Sequence, residues 1–482
     1  MKPLSGLDGA FLHLETERTP MHVASLHLFD LPAGTNGADF HAAVKRQMRQ
    51  RIHLAPVFER KLAPMPLRFA NPVWVRDDAV DLDHHVQRVV LPAPGAMAEL
   101  EACAARLHAE LLDRDRPLWR LTIIDGLASG QAGYYIKVHH AAVDGQAGVL
   151  LARALFDLEP KPRAVPRAGR VRAEHPGIAE LAAAALRHDA AQVVKLVRHL
   201  PDIAHTLAGL IGGPSAATKS AAGTTMGMGQ NLAFGPHTAL NVQITGERSF
   251  AGAALPLTAL KQLAAAHGAK LNDIVLALAS GALRRWLAAN GGVPRRPLVA
   301  AMPVSLRAEG DTDYTTQATM TLVSLHTHVA DPLRRLAAIR DAAGAAKALT
   351  GRAKAVLPTD FPSITVPWLL HGLATLYGRS GLAGAIPPIT NLVVSNVPGP
   401  QVPLFAAGAR MRSYWPLSIV EHGLGLNLTV LSYDGAMYFG FVAARDAVPE
   451  ARALAEALQV AYDELVAKTK PAKPAKNRGT TR

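Results

Sequence analysis

Residues 134 to 145 read Tyr134-Tyr-Ile-Lys-Val-His139-His140-Ala-Ala-Val-Asp144-Gly145. Tyr134 to Val138 is aromatic and apolar except for Lys137, which predicts a strand. From Gly145 to Leu158 apolar residues recur at helical spacing. A strand that ends on two histidines just before a helix places His140 where sites usually lie in alternating folds. A His-x-x-x-Asp spacing is cheap by itself. With 20 histidines in the chain, roughly one is expected by chance, and the chain has one, His140 to Asp144. A histidine before it and a glycine after it make the coincidence far rarer. A lone strand-end histidine is usually a buried residue bonded to backbone; the full pattern points to chemistry.

An imidazole titrates near neutrality and can take a hydroxyl proton as the oxygen attacks a carbonyl. Asp144, one turn on, can bond to the imidazole or turn away and pair with an arginine to lock the turn. Gly145 frees the backbone at the tight turn. A metal site fits less well, because adjacent histidines on a strand point to opposite faces. With Cys103 as the one cysteine, an intrachain disulfide and a Cys-rich metal site are excluded.

Around this run, Leu121–Ile124 and Tyr134–Val138 read as two strands joined by the turn-rich Gly126 to Gly133. His22–Phe29 reads as another strand, with Ala38–Gln50 and Glu99–Leu112 as helices. Residues 161 to 236 change character: prolines punctuate Ala-rich helical pieces, and no acidic residue occurs from Ile203 to Gly246. A second alternating block follows. Strands are expected at Leu240–Ile244, Leu298–Val304, Ala318–Leu325, Asn391–Ser395, Leu424–Leu431 and Met437–Val442. Helices are expected at Leu255–Ala266, Asn272–Ala289 (capped by Asn272 or Asp273), Asp331–Ala348 and Pro449–Lys468. The expected organisation is therefore an N-terminal domain over 1–160, a helical connector over 161–236, a C-terminal domain over 237–467 and a basic disordered tail over 468–482. The fold class is α/β, as two sandwich domains.

The length of 482 residues also suits two domains, and 49% apolar with only 18% charged residues is enough to bury large cores. No run of 18 or more uncharged apolar residues occurs, and the N-terminus lacks a signal-peptide pattern. The single cysteine fits a reducing, cytoplasmic setting. The net charge is +13, and removing the six Lys and Arg of the tail leaves +7. Such a balance suits an anionic membrane or an anionic nucleotide-bearing cosubstrate. No helix-turn-helix, zinc-finger or basic-aromatic motif supports nucleic acid as a partner.

The histidine run resembles the HHxxxDG signature of the bacterial wax ester synthase/diacylglycerol acyltransferase family, in the CoA-dependent acyltransferase superfamily. Further blocks resemble the family's in the same order. They are Leu4-Ser-Gly-Leu-Asp-Gly-Ala-Phe11 with Pro20-Met-His-Val23, Pro117-Leu-Trp119, Leu271-Asn272-Asp273, Met302-Pro-Val-Ser-Leu-Arg307 and Asn391-Leu-Val-Val-Ser-Asn396-Val-Pro-Gly-Pro400. The likeness spans roughly 1 to 465 and leaves out the tail.

The resemblance implies two chloramphenicol-acetyltransferase-like domains with a tunnel between them and the histidines at their interface. It implies an acyl-CoA-dependent O-acyltransferase that esterifies diacylglycerol or a long-chain fatty alcohol by direct attack, with acyl-CoA as cosubstrate and no bound cofactor. His140 is then the general base, His139 its neighbour, and Asp144 the residue that holds the turn, with Arg307 as its ionic partner. Asn272, Ser305 or a backbone N–H would stabilise the oxyanion; the plainer reading of Asn272 is a helix cap. Cys103 lies in an ordinary helical pattern with no adjacent base, so it is not the nucleophile. Peripheral attachment to the inner membrane or to lipid inclusions is expected from the lipid acceptor, the basic tail and the acid-free stretch Phe361–Val420, which includes an amphipathic run over Val366–Tyr377. Two other readings remain: a carrier-dependent condensation-type acyltransferase, and a catalytically idle paralogue that binds acyl-CoA or lipid droplets.

Overall fold

The computed structural model describes residues 2–4, 6–63, 72–143, 147–166, 177, 179–180, 183, 235–305, 318–353, 380 and 387–469. Its strands in chain order are β1 (Lys2–Pro3), β2 (His22–Asp30), β3 (Arg60–Ala63), β4 (Val73–Arg76), β5 (Val86–Val90), β6 (Trp119–Asp125), β7 (Ala132–His139), β8 (Arg248–Pro256), β9 (Val299–Ser305), β10 (Ala318–Ser324), β11 (Leu392–Val397), β12 (Phe405–Ala406), β13 (Ala409–Met411), β14 (Trp415–Leu417), β15 (Leu426–Tyr433) and β16 (Ala436–Ala444). One large sheet has the order β12-β13-β2-β7-β6-β5, with β14 also paired to β2. The other has the order β10-β9-β11-β15-β16-β8, and β1, β4 and β3 make a small third sheet. The α/β class expected from the alternation is what the chain adopts.

β7 is buried along its whole length. β2 and β6 flank it, both antiparallel, and helix Met97–Ala109 packs on it. That explains why its sequence is a nearly continuous apolar run rather than an alternation. Gly126 and Gly130, at φ +83° and +73°, turn the chain from β6 into β7. Helix Gly37–Arg51 starts with Asn36 accepting from the Ala38 and Asp39 N–H groups while Asp39 bonds back to Asn36 N–H. It turns Phe40, Val44 and Met48 inward, one helical turn apart.

The two large sheets meet through helix Met97–Ala109, which packs on β2 and β7 and also on β8. Glu101 on this helix is 5% exposed. Its carboxylate accepts the Gly252 N–H at 2.9 Å and is bound by Arg452, whose guanidinium also reaches Gly252 O. In the second half, helix Leu271–Ala289 has 13 buried residues and lies against helices Pro332–Ala353 and Arg452–Thr469.

Sheet membership does not follow chain order. The strands over 405–417 come from the 237–467 block, yet β13 and β14 pair with β2 of the first sheet. β14 at the same time packs on β15 and β16 of the second. Gly440 and Gly252, opposite each other in β16 and β8, make room for it. A Cβ at Gly440 would lie 1.8 Å from Pro416 O, and one at Gly252 would lie 2.7 Å from the Trp415 ring.

Leu240–Ile244, expected as a strand, is irregular. The buried Asn241 takes over the bonding there, giving its Nδ2 to Gly423 O and Thr390 O and accepting from Asn391 Nδ2. The helix expected from Leu255 begins at Leu257, because β8 runs on to Pro256. Most of the expected connector, the tail beyond Thr469 and the Val366–Tyr377 run lie outside the described residues.

Candidate active site

β7 ends at His139, and His140 opens a short 3-10 turn, His140–Ala142. Two of the blocks read from the sequence hold the two histidine amides. His139 N–H donates to Leu118 O at 3.0 Å, and His140 N–H donates to Met21 O at 2.8 Å.

The side chains then diverge. His139 is completely buried. Its Nδ1 accepts the Ala141 N–H at 3.1 Å, which fixes the proton on Nε2. That nitrogen stands 3.2 Å from Glu15 Oε1, within contact although poorly aligned as a hydrogen bond. His140 lies under the ring of Phe11, with centroids 3.9 Å apart and planes 20° from parallel. Burial pushes its pKa down to about 4; a contact with its own backbone opposes this and the neighbouring His139 adds to it. That backbone contact lacks hydrogen-bond geometry, so Nδ1 is enclosed without a normal partner.

Behind His139 sits an ion pair that the sequence did not reveal, between the buried Glu15 and the exposed Arg114. Glu15 is 4% exposed. Its Oε1 accepts the Met21 N–H at 3.1 Å, and its Oε2 accepts from Arg114 Nε at 3.1 Å and Nη2 at 2.7 Å. Arg114 also donates to Leu12 O at 2.7 Å. Burial alone would raise the Glu15 carboxyl, but His139 and Arg114 outweigh it and bring the pKa down to about 2.

Three further blocks converge at one end of the second sheet. β9 and β11 run parallel, with Val393 beside Ala301, so Ser305 and Val397 close the two strands at the same end. Asn396 Nδ2 approaches Asn272 Oδ1 at 3.4 Å. Asn272 does not cap its helix. The cap position is Lys270, and the buried Asp273, at the third helical position, accepts the Lys270 N–H at 2.8 Å. Cys103 is buried in helix Met97–Ala109. Desolvation raises its thiol pKa despite Arg106 beside it, which disfavours a thiolate.

The description "Wax ester synthase/diacylglycerol acyltransferase catalytic domain" matches residues 4–275, and "WS/DGAT C-terminal domain" matches residues 316–466. The chain belongs to the wax ester synthase/diacylglycerol acyltransferase family. It is 35% identical over 463 residues to a Mycobacterium tuberculosis protein named as a diacylglycerol O-acyltransferase, covering 96% of this chain and 99% of that one. It is 33% identical to the O-acyltransferase WSD of Acinetobacter baylyi, covering 93% of each chain. The solved wax ester synthase/diacylglycerol acyltransferase of Marinobacter aquaeolei superimposes with a TM-score of 0.69 at 29% identity, covering 97% of this chain and all of that one. A condensation domain of the calcium-dependent antibiotic synthetase gives a TM-score of 0.55 at 16% identity, a likeness of fold alone. The resemblance carried by the ordered blocks was therefore a true one, and the acyltransferase expectation holds with it.

Within this family member, His139 ends a strand of the first sheet with His140 directly after it, and Asn272 and Ser305 share one end of the second. Asp144, Gly145 and Arg307 lie outside the described residues, and with them the expected Asp144–Arg307 pair. Glu15, Arg114 and Phe11 were missed. Arg114 lies in the run Asp113-Arg-Asp-Arg116, which reads as a solvated loop. The available signal was position: Glu15 lies between the two pieces of the opening block, and Arg114 stands three residues before Pro117-Leu-Trp119.

Proposed function

We propose that the chain transfers a fatty acyl group from acyl-CoA to the hydroxyl of diacylglycerol or a long-chain alcohol, with His140 as the general base. The observation that supports this best is His140 itself. It is neutral, it is stacked on Phe11, and its backbone is fixed by Met21 at the end of a buried strand. Nδ1 is enclosed, so Nε2 is the nitrogen that meets the hydroxyl. It takes the proton as the oxygen attacks the thioester carbonyl. The tetrahedral oxyanion collapses with cleavage of the C–S bond, and the imidazolium returns its proton to the departing CoA sulfur. No acyl-enzyme forms, in keeping with a buried Cys103.

Asn272 is assigned to the oxyanion. Its Oδ1 is turned to Asn396, which directs its Nδ2 elsewhere, and Ser305 closes a strand at the same end of the sheet. Asp144 holds the turn after His140 by pairing with Arg307. In the same proposal, residues 1–160 and 237–467 are the two domains, with 405–417 exchanged between them. Among the described residues no helix is long and apolar enough to cross a membrane. Attachment to a membrane or lipid inclusion is assigned to the basic tail and the acid-free stretch Phe361–Val420.

The test is release of CoA thiol from palmitoyl-CoA with hexadecanol, with dipalmitoylglycerol, or with neither, using the protein and His140→Ala. Loss of a general base lowers kcat by about a hundredfold or more. Release that requires an acceptor and disappears in the variant supports the reading and ranks the acceptors. Release that survives in His140→Ala sinks it.

A further inference from the structure

We propose that Glu15, clamped by Arg114, is the positioning residue of the catalytic turn. The inference rests on His140 being the base.

Three hydrogen bonds and one ionic-range contact close a ring around the His140 backbone. Glu15 Oε1 accepts the Met21 N–H, and the carbonyl of Met21 accepts the His140 N–H. The same carboxylate oxygen faces His139 Nε2, whose opposite nitrogen accepts the Ala141 N–H. One carboxylate thus reaches the residues on both sides of His140: through Met21 it sets the amide of His140, and through His139 it sets the next amide along the turn. Arg114 binds the other oxygen through two N–H groups and also holds Leu12 O. That bond ties the C-terminal end of helix Gly6–Leu14 to the clamp, and this helix carries Phe11, whose ring lies on His140. The plane of the imidazole, its backbone and the tautomer of its neighbour therefore share one anchor.

The chemistry of the anchor fits. A buried carboxylate with bonds from a guanidinium and a backbone amide, and an imidazole in contact with it, stays ionised, and losing one partner leaves the others unsatisfied. Glu15 and His139 are both almost sealed from solvent, so they act on substrate only through His140. That assigns a structural reason to two blocks of the sequence. Leu4–Phe11 with Pro20–Val23, and the segment before Pro117-Leu-Trp119, supply the frame in which the base sits. A base displaced by a fraction of an ångström loses rate without losing substrate affinity.

The experiment is steady-state kinetics of Glu15→Gln in the full chain with palmitoyl-CoA and hexadecanol, beside its urea unfolding midpoint. The expected result is a fall in kcat of about tenfold or more, with KM for palmitoyl-CoA changed by less than about twofold and the protein folded in assay buffer. Unchanged kcat overturns the proposal. So does a raised KM with kcat intact, which would place Glu15 on the substrate path. Arg114→Gln guards against a Glu15 variant that does not fold, because Arg114 is partly exposed. It leaves the carboxylate in place, and a smaller fall confined to kcat is expected. An effect of Arg114→Gln on KM alone also overturns the proposal. His140→Ala, measured in parallel, separates failure of the anchor from failure of the base: if that variant keeps full activity, the base reading fails first.

Discussion

An imidazole with a pKa near 4 is neutral around pH 7, so in its proposed role as base His140 accepts a proton without first having to lose one. The cause is desolvation, which penalises imidazolium. The consequence is visible in the free-enzyme pH profile. A histidine at its ordinary value of 6.5 would cost about tenfold in kcat/KM between pH 7.5 and 5.5. Here kcat/KM is expected to stay within about twofold across that interval, with its acid limb falling towards pH 4. Initial rates at subsaturating palmitoyl-CoA check this, and an acid limb centred near 6.5 would show that His140 is solvated in the working enzyme. His139 has the opposite surroundings. It faces a carboxylate that stays ionised far below neutrality, so the two adjacent rings, alike in sequence, have different partners. The sequence singled out the pair. It could not show that one ring turns to Phe11 and the other to Glu15, because that division depends on a helix and a loop more than a hundred residues earlier and on Arg114.

β14 is short, yet it ties the two large sheets together, pairing with β2 in one and packing on β15 and β16 of the other. The paired glycines beneath it are the condition for that fit. Gly440→Ala forces a methyl into Pro416 O, and the neighbour is backbone, which cannot turn aside. A loss of ~1–3 kcal/mol or more is expected, read as a lower urea midpoint. Gly344→Ala is the matching control: it sits in the helix Pro332–Ala353 with open space around its Cβ position. That change is expected to stabilise by ~0.5–1 kcal/mol. Equal losses at the two positions would mean that β14 does not press on the second sheet. The longer elements were legible because their periodicity is local: β2, β7, β16 and the helices Gly37–Arg51 and Leu271–Ala289 lie within a few residues of where the pattern puts them. The exchanged strands β12 to β14 are only two or three residues each. A run that short has no period to read, and its strand character comes from its partner. Leu240–Ile244 fails for the reverse reason: the pattern fits a strand, but Asn241 spends its amide on carbonyls from elsewhere.

Across the molecule, His22, His27, His85 and His108 are buried and spread over the first half. Each has a ring nitrogen bonded to a main-chain carbonyl, a bond the neutral ring can donate. Burial lowers all four pKa values, to about 3 for His27 and His108 and about 4 for His85, with His22 also well below 6.5. The folded protein therefore refuses protons that the unfolded chain takes up below about 6.5. Stability falls as pH drops through that value and keeps falling towards 4. Each fully engaged histidine contributes about 1.4 kcal/mol per pH unit, so the four together reach roughly 5 kcal/mol per unit. Glu15 adds its own loss below about 4.5. Urea midpoints at pH 7, 6 and 5 test this, and a flat series would mean that these rings are hydrated. The order in which the parts are synthesised brings a different hazard. β2 and β7 have been synthesised by residue 139, but β13 and β14, which cover the outer edge of β2, are made only after residue 408. At elongation rates of about 5–20 residues per second that gap is on the order of tens of seconds. Throughout it the nascent chain presents an uncapped strand edge able to pair with a neighbouring nascent chain. Until translation reaches the missing strands, that open edge is an aggregation hazard on the polysome.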